Sequence, residues 1–363
     1  MATNAIDRRE FLLASLSTGL AAGAALGAAS GAASCSLGST LLSVVSAPVG
    51  GAVPAAESCI LIRLNGGIAQ TDTWDPKAFT PFRRGMPARD LLGTCQSIPT
   101  ALDGVRFGAG LEEMASVLDR GCLIRSIVED PTATTSHRCG WQRFGWDLPA
   151  SACPADETPE SRLAWEGCAA EDAVSGNTFG GFAAQISAAL RRVERGPARV
   201  MIDTPFTGFD GFDTHDHGAA RIAELKSRID APIASLVRTL EARGLLERTL
   251  VIVASEFGRT VGTRHDAGDG PATETESSPS VITHESQYGF HAHFAGATCL
   301  LLFGGGMPRG RVIGRTAEVH PMVPIAEAVT VSDVRAMIAQ ALAGKNSPRP
   351  SGALAPLARP DLA

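Results

Sequence analysis

The sequence predicts an α/β protein with a mostly parallel sheet sandwiched between helices. Three observations lead there. Strand-like and helix-like segments alternate along most of the chain. The run Leu250-Val251-Ile252-Val253, with Ala254 behind it, offers no polar residue to solvent, as in a strand buried on both faces. Several strand-like runs stop abruptly at glycines, acids or basic residues, and ligands in open α/β sheets gather off the carboxyl ends of the strands.

The elements follow in order. Residues 59–64 read as a first strand that breaks at Asn65-Gly66-Gly67, before a polar loop carrying Asp72 and Asp75. A short helix over 111–118 has apolar spacing, and 122–126 is a second strand. Residues 129–177 are rich in Pro, Thr, Ser, Cys and Trp and read as a long loop region with one helix near 138–144. A helix over 180–195 leads to a strand at 199–202, and a glycine-punctuated loop runs on to His217. A long helix at 218–243 precedes the 250–254 strand. Residues 262–290 are polar and poor in large apolar side chains, which suits a flexible insertion. The strand at 298–303 ends in Gly304-Gly305-Gly306, which suggests a loop passing close to the site. A last helix over 331–342 is capped by Thr330 or Ser332, and 344–363 reads as a disordered tail.

Composition excludes some function classes. At 363 residues and 44% hydrophobic, the chain can bury a sizeable core. A net charge of −6 without a basic block past the first residues argues against nucleic acid. One tyrosine, Tyr288, disfavours an aromatic groove for bases or sugars.

The first 35 residues read as a twin-arginine export signal. Arg8-Arg9 precedes Phe11-Leu12 and a mild Ala/Gly/Leu/Ser-rich stretch, and no charge falls between Glu10 and Glu57. Residues 36–56 read as a linker, and 57–343 as the folded domain. The expected location is periplasmic or extracellular, with membrane contact only through export or lipidation of Cys35. Eight cysteines suit an oxidising compartment. Cys139, Cys153 and Cys168 could include a bridged pair, whereas Cys299 reads as a free core thiol. No C-x-x-C pair supports a zinc ribbon.

The chemistry-bearing residues cluster beside strands. Asp213 and His215 are two apart, so an extended segment points both the same way. Carboxylates and imidazoles hold divalent metals at catalytic sites. A satisfied turn or cap is the alternative use of Asp-Thr-His. Five of the eight histidines, His215, His217, His284, His291 and His293, fall in two short segments, which favours function. Arg259 could orient an anionic ligand or pair with Glu256 or Asp213.

Together the blocks GGIAQTDTWDPK (66–77), LIRSIVED with a following His137, GFDTH (211–215), SEFGRT (255–260) and GGGMPRGRVIG (304–314) carry a family resemblance. The chain resembles a bacterial twin-arginine-exported family of unknown function allied to the alkaline phosphatase/sulfatase superfamily. The blocks span about residues 59–340. The resemblance implies an alkaline-phosphatase-like α/β sandwich with one or two divalent metals (Zn, Ca, Mg or Mn) at the strand ends. It implies a metal set of Asp72 (or Asp75), Asp213, His215, Glu256 and His293. It also implies a hydroxyl nucleophile at a helix start, for which Thr134 and Ser136 are candidates, with His137 as ligand or base and Arg259 as an anion clamp. N-capping by Ser136 or Thr135 is the alternative use of that segment.

Two departures stand out. Phe257 replaces the histidine of an Asp-His ligand pair, and Ala292 replaces an aspartate. The expected function is an exported metal-dependent hydrolase or transferase of phosphate or sulfate esters. Its substrate would be a small anionic or glycan-linked ester. The alternative is a non-catalytic descendant acting as an envelope-associated binding protein.

Overall fold

In the computed structural model, eight strands form the central sheet: β1 (Ser58–Arg63), β2 (Gly121–Val128), β3 (Glu166–Gly167), β4 (Arg199–Asp203), β5 (Thr249–Ala254), β6 (Thr298–Phe303), β7 (Arg311–Ile313) and β8 (Val329–Thr330). The structure describes residues 56–129, 137–146, 166–167, 181–205, 211–259, 261, 280–290 and 292–343. Across the sheet the order is β7-β2-β6-β5-β1-β4-β3, with β8 also on β2. The pairs β5–β1, β1–β4 and β4–β3 are parallel, as are β7 and β8 on β2. The expected α/β class with a mostly parallel sheet is the one observed.

β6 is the exception, running antiparallel to both β5 and β2. This corrects one expectation. Because β6 is inverted, Gly304-Gly305-Gly306 emerges at the edge opposite the ends of β1 and β5. A Cβ at Gly304 would sit 2.1 Å from the Leu246 carbonyl oxygen, just before β5 begins. The glycines let the chain turn against that edge and lie away from the site. The residues preceding β6, including His293, instead reach the edge where β1 and β5 end.

Both faces of the sheet are covered, so adjacent residues on one strand enter different cores. Ile60, Ile62, Val251, Val253, Leu301 and Phe303 face one helical layer. Leu61, Leu250, Ile252, Leu300 and Leu302 face the other. The first layer contains α1 (Glu112–Ala115), α3 (Phe182–Arg195) and α4 (Gly218–Ala242). The helix α2 (His137–Phe144) lies on the opposite face. α3 presents Phe182, Ile186, Ala189 and Val193, and α4 presents Ile222, Leu225, Ile229, Ile233 and Leu236. These are the three- and four-residue intervals of one helix face. The second layer adds α5 (Val331–Ala343), whose Val334, Met337, Ile338 and Ala341 pack beside Trp141 and Phe144 of α2. Thr330 is the cap that opens α5, trading bonds with Asp333 through backbone and side chain.

The insertion expected at 262–290 lies partly outside the described residues. Its described end includes Val281–Ile282, which pairs antiparallel with Met86–Pro87. Cys299 is a buried free thiol, as are Cys59 and Cys122, whereas Cys153 and Cys168 lie outside the described residues. Among the described residues, no helix is long and apolar enough to cross a membrane.

Double-sided burial has a direct test. Leu301→Ala and Leu302→Ala remove neighbours that enter opposite cores. Each should cost about 2–5 kcal/mol in chemical denaturation. A sheet with one solvated face would lose that much at only one of the two positions.

Candidate metal centre

The site forms where the carboxyl ends of β1 and β5 meet the residue run that enters β6. After β1, the chain turns through Gly66 and Gly67, both at positive φ. A Cβ on Gly66 would lie 2.3 Å from the Asp213 nitrogen, and one on Gly67 would lie 2.4 Å from the Phe257 ring. Glycine is required because two other segments press against this turn.

The first of these segments carries Asp213. Phe212 and Thr214 point inward and are fully buried, and the Phe212 N–H donates to the Asn65 carbonyl at 3.1 Å. The alternating residues Asp213 and His215 are thereby turned toward each other, with His215 Nε2 2.8 Å from Asp213 Oδ1. The second segment follows β5. Ser255, Glu256, Phe257 and Arg259 are all fully buried. The two-residue strand Gly258–Arg259 pairs antiparallel with His293–Phe294, which places His293 directly opposite Arg259.

α2 closes the site from above. Its first residue, His137, sets Nδ1 2.7 Å from Glu256 Oε1 and Nε2 3.5 Å from Asp213 Oδ1. Trp141 Nε1–H donates to Asn65 Oδ1 at 2.9 Å and anchors the helix on the β1 turn. Gly140 allows the approach, since a Cβ there would lie 2.8 Å from both the Cβ and the carbonyl oxygen of Glu256.

Asp213 Oδ1 is therefore a point of convergence. Three imidazole Nε2 atoms reach it, from His215 at 2.8 Å, His137 at 3.5 Å and His293 at 3.7 Å, and Arg259 Nη2 donates to it. Donor atoms of His137, Asp213 and His293 lie within 4.8 Å of one another. Two donors each about 2 Å from one ion can be no more than about 4 Å apart, which the Asp213 spacings to His137 and His293 satisfy, whereas His215 is at hydrogen-bond distance. The side chains of His137, Asp213, His215 and His293 keep between 17% and 25% of their surface exposed, so a ligand can reach them.

The remaining expected site residues fall elsewhere or act differently. Asp72 is buried, its Oδ1 accepts the Thr94 N–H at 2.7 Å, and it is outside the His137–Asp213–His293 group. Asp75 binds Thr316 and lies 3.1 Å from Lys77 Nζ. Trp74 packs into the first core. Glu256 accepts the Gly66 N–H at 2.8 Å and contacts Ser255 Oγ at 3.0 Å in addition to His137. Arg259 Nε donates to the Gly66 and Gly67 carbonyls at 2.9 and 2.7 Å. With none of its side chain exposed, Arg259 braces Asp213 rather than clamping an anion from solvent. Phe257 packs beside both imidazoles, its ring centroid 5.0 Å from that of His137 and 4.5 Å from that of His293. Thr134, Ser136 and His291 lie outside the described residues.

Sequence reasoning passed over Glu129, which follows β2 at the same edge. Burial pushes its carboxyl up to about 7, with Arg143 opposing and Glu256 adding to the rise. Its Oε2 lies 2.7 Å from Arg143 Nη2. The signal was an acid placed directly after an apolar strand.

The sequence matches the family model described as "Protein of unknown function (DUF1501)" over residues 56–146 and 152–346. The chain belongs to the DUF1501 family. That match includes every residue of the His137–Asp213–His293 group, with His215, Glu256 and Arg259. No curated protein matches this DUF1501 chain in sequence. Among solved structures, the lipoteichoic acid synthase LtaP from Listeria monocytogenes is similar over 82% of this chain and 75% of its own, at 8% identity and a TM-score of 0.41. The PsFucS1 sulfatase from Pseudoalteromonas sp. is similar over 81% and 68%, at 11% identity and 0.39. Ps i-CgsB is similar over 45% of this chain at 14% identity and 0.26, and the DUF1501 chain spans 34% of that protein's length. At such scores the weight rests on the chain's own residues.

The electrostatics give a pH signature for the metal-free protein. For His137, burial opposes the charged ring, but hydrogen bonds to Asp213 and Glu256 outweigh it and raise its pKa above 6.5. For Asp213, burial would favour the neutral acid. The three imidazoles and Arg259 overcome it and hold the carboxyl far below its ordinary range. A raised histidine pKa stabilises fully below the unfolded value and loses that contribution as pH climbs through the folded value. Asp213 contributes above the ordinary carboxylate range and loses its contribution only in strong acid. The thermal stability of the metal-free chain should therefore fall as pH rises past about 6.5. His137→Gln should flatten that fall, and an unchanged profile in the variant would rule out this coupling.

Proposed function

We propose that this DUF1501 member is an exported hydrolase or transferase of phosphate or sulfate esters that works with a single divalent metal ion. The observation that carries the reading is the convergence of His137, His215 and His293 on one oxygen of Asp213. His137, Asp213 and His293 would hold the ion, with His215 beside them. Two imidazoles and one carboxylate form a donor set suited to zinc, whereas calcium and magnesium prefer all-oxygen sites. When bound, the ion would supply Lewis-acid polarisation of an ester oxygen.

The chain's own residues supply the rest. Arg259 balances the charge of Asp213 from within the protein. A small anionic or glycan-linked ester would meet a centre whose net charge is positive once loaded. Ser136 and Thr134 stand one and three residues before His137, the first residue of α2, and we assign attack on the ester to one of their hydroxyls. A helix start suits an anionic group because its free N–H groups point outward. The ester class rests on the sequence blocks that resemble the alkaline phosphatase/sulfatase superfamily. The twin-arginine pattern at Arg8-Arg9 supports a periplasmic or extracellular location.

A second reading is a descendant that binds without turnover. The fully buried Phe257 favours it, because a phenyl ring that cannot bind metal stands where the resemblance implies a ligating histidine.

Metal analysis of protein exported in its native host, followed by phosphate monoesters, phosphate diesters and sulfate esters, separates the readings. We expect about one divalent ion per chain and turnover of at least one ester class. Asp213→Ala should lose both. Ser136→Ala or Thr134→Ala should lose turnover with metal content intact. Metal present with every ester inert would favour the binding reading, and no metal at all would sink both metal-based accounts.

A further inference from the structure

We infer that Glu256 is a positioning residue that fixes the tautomer of His137 and aims its Nε2 at the metal centre. This rests on the proposed metal reading and deepens it. A peptide N–H can only donate, and that of Gly66 donates to Glu256 Oε1 at 2.8 Å. Oε1 is therefore an acceptor. The His137 Nδ1 facing the same oxygen at 2.7 Å must carry the proton. In the neutral ring the lone pair then belongs to Nε2, the atom on the Asp213 side. Metal-binding histidines commonly have their second nitrogen held this way, which fixes ring orientation and raises ligand basicity.

The surroundings make Glu256 a fixed support. Its side chain is fully buried, its other oxygen lies against Ser255 Oγ at 3.0 Å, and it is outside the His137–Asp213–His293 donor group. Ser255 is itself tied to the Leu64 carbonyl at 2.8 Å and to the Ile68 N–H at 2.9 Å. Gly140 brings α2 down onto Glu256, so a bulkier residue there would lift His137 off its partner. Glu256→Gln keeps the contacts to Gly66 and His137. Its Oε1 still accepts from both, and its amide N–H donates to Ser255 Oγ, reversing the bond that Ser255 gives Oε2, while the serine proton goes to the Leu64 carbonyl. The negative charge that faces His137 is removed.

The test is zinc affinity of the full chain, measured by competition with a chelating indicator, for wild type, Glu256→Gln, His137→Ala and the double variant. Glu256→Gln should weaken zinc binding about 10- to 100-fold with His137 present. In the His137→Ala background the same change should matter less than about twofold. Equal losses in both backgrounds would mean that Glu256 acts on the ion directly, and no loss in either would mean it does not tune the centre. Both results overturn the proposal. Nitrogen-15 histidine spectra of the metal-free wild type, at a pH where the ring is neutral, give an independent readout that needs no variant. They should show His137 protonated on Nδ1, and the opposite tautomer overturns the inference. Wild type that takes up no zinc would refute the metal reading, while the spectra still judge the Glu256–His137 contact.

Discussion

One oxygen of one carboxylate organises the edge of the sheet where β1 and β5 end. Asp213 Oδ1 faces three imidazoles and accepts from the Arg259 guanidinium. A largely buried carboxylate is costly to keep ionised unless such partners surround it. Each partner comes from a different part of the chain. His137 begins α2, Arg259 follows β5, His293 precedes β6, and His215 shares a loop with Asp213. Holding them within a few ångströms requires the glycine turn after β1, where a side chain at Gly66 would strike the Asp213 backbone.

The sheet topology makes this convergence possible. β1 and β5 are parallel neighbours, so their carboxyl ends deliver the Gly66 turn and the Ser255–Arg259 segment side by side. Inverting β6 lets a residue that precedes a strand reach the same edge. The Arg259–His293 register then brings a permanent cation and an imidazole together beside Asp213. Arg259 compensates part of the Asp213 charge from within the protein, and Phe257 packs beside the His137 and His293 rings.

Much of this was legible in the sequence. The apolar runs gave the long strands and helices nearly to the residue, because strands buried on both faces leave few alternatives. The spacing of Asp213 and His215 placed them on one side of an extended segment, and the structure brings them to 2.8 Å. Other features were hidden for physical reasons. A central strand reads as the same apolar run in either direction, so the inversion of β6 was invisible, and with it the true place of Gly304-Gly305-Gly306. Asp72 looked like a ligand by position, but its carboxylate turns to the Thr94 N–H. The Glu256–His137 contact joins residues 119 positions apart and depends on Gly140, whose role is steric and leaves no chemical signature.

X-ray absorption spectroscopy of the zinc-loaded full chain reads directly which atoms surround a bound ion. Imidazole nitrogen and carboxylate oxygen scatterers are expected at about 2.0–2.2 Å, with the multiple-scattering pattern of histidine rings. A sulfur shell near 2.3 Å, or an oxygen-only shell without histidine, would contradict it.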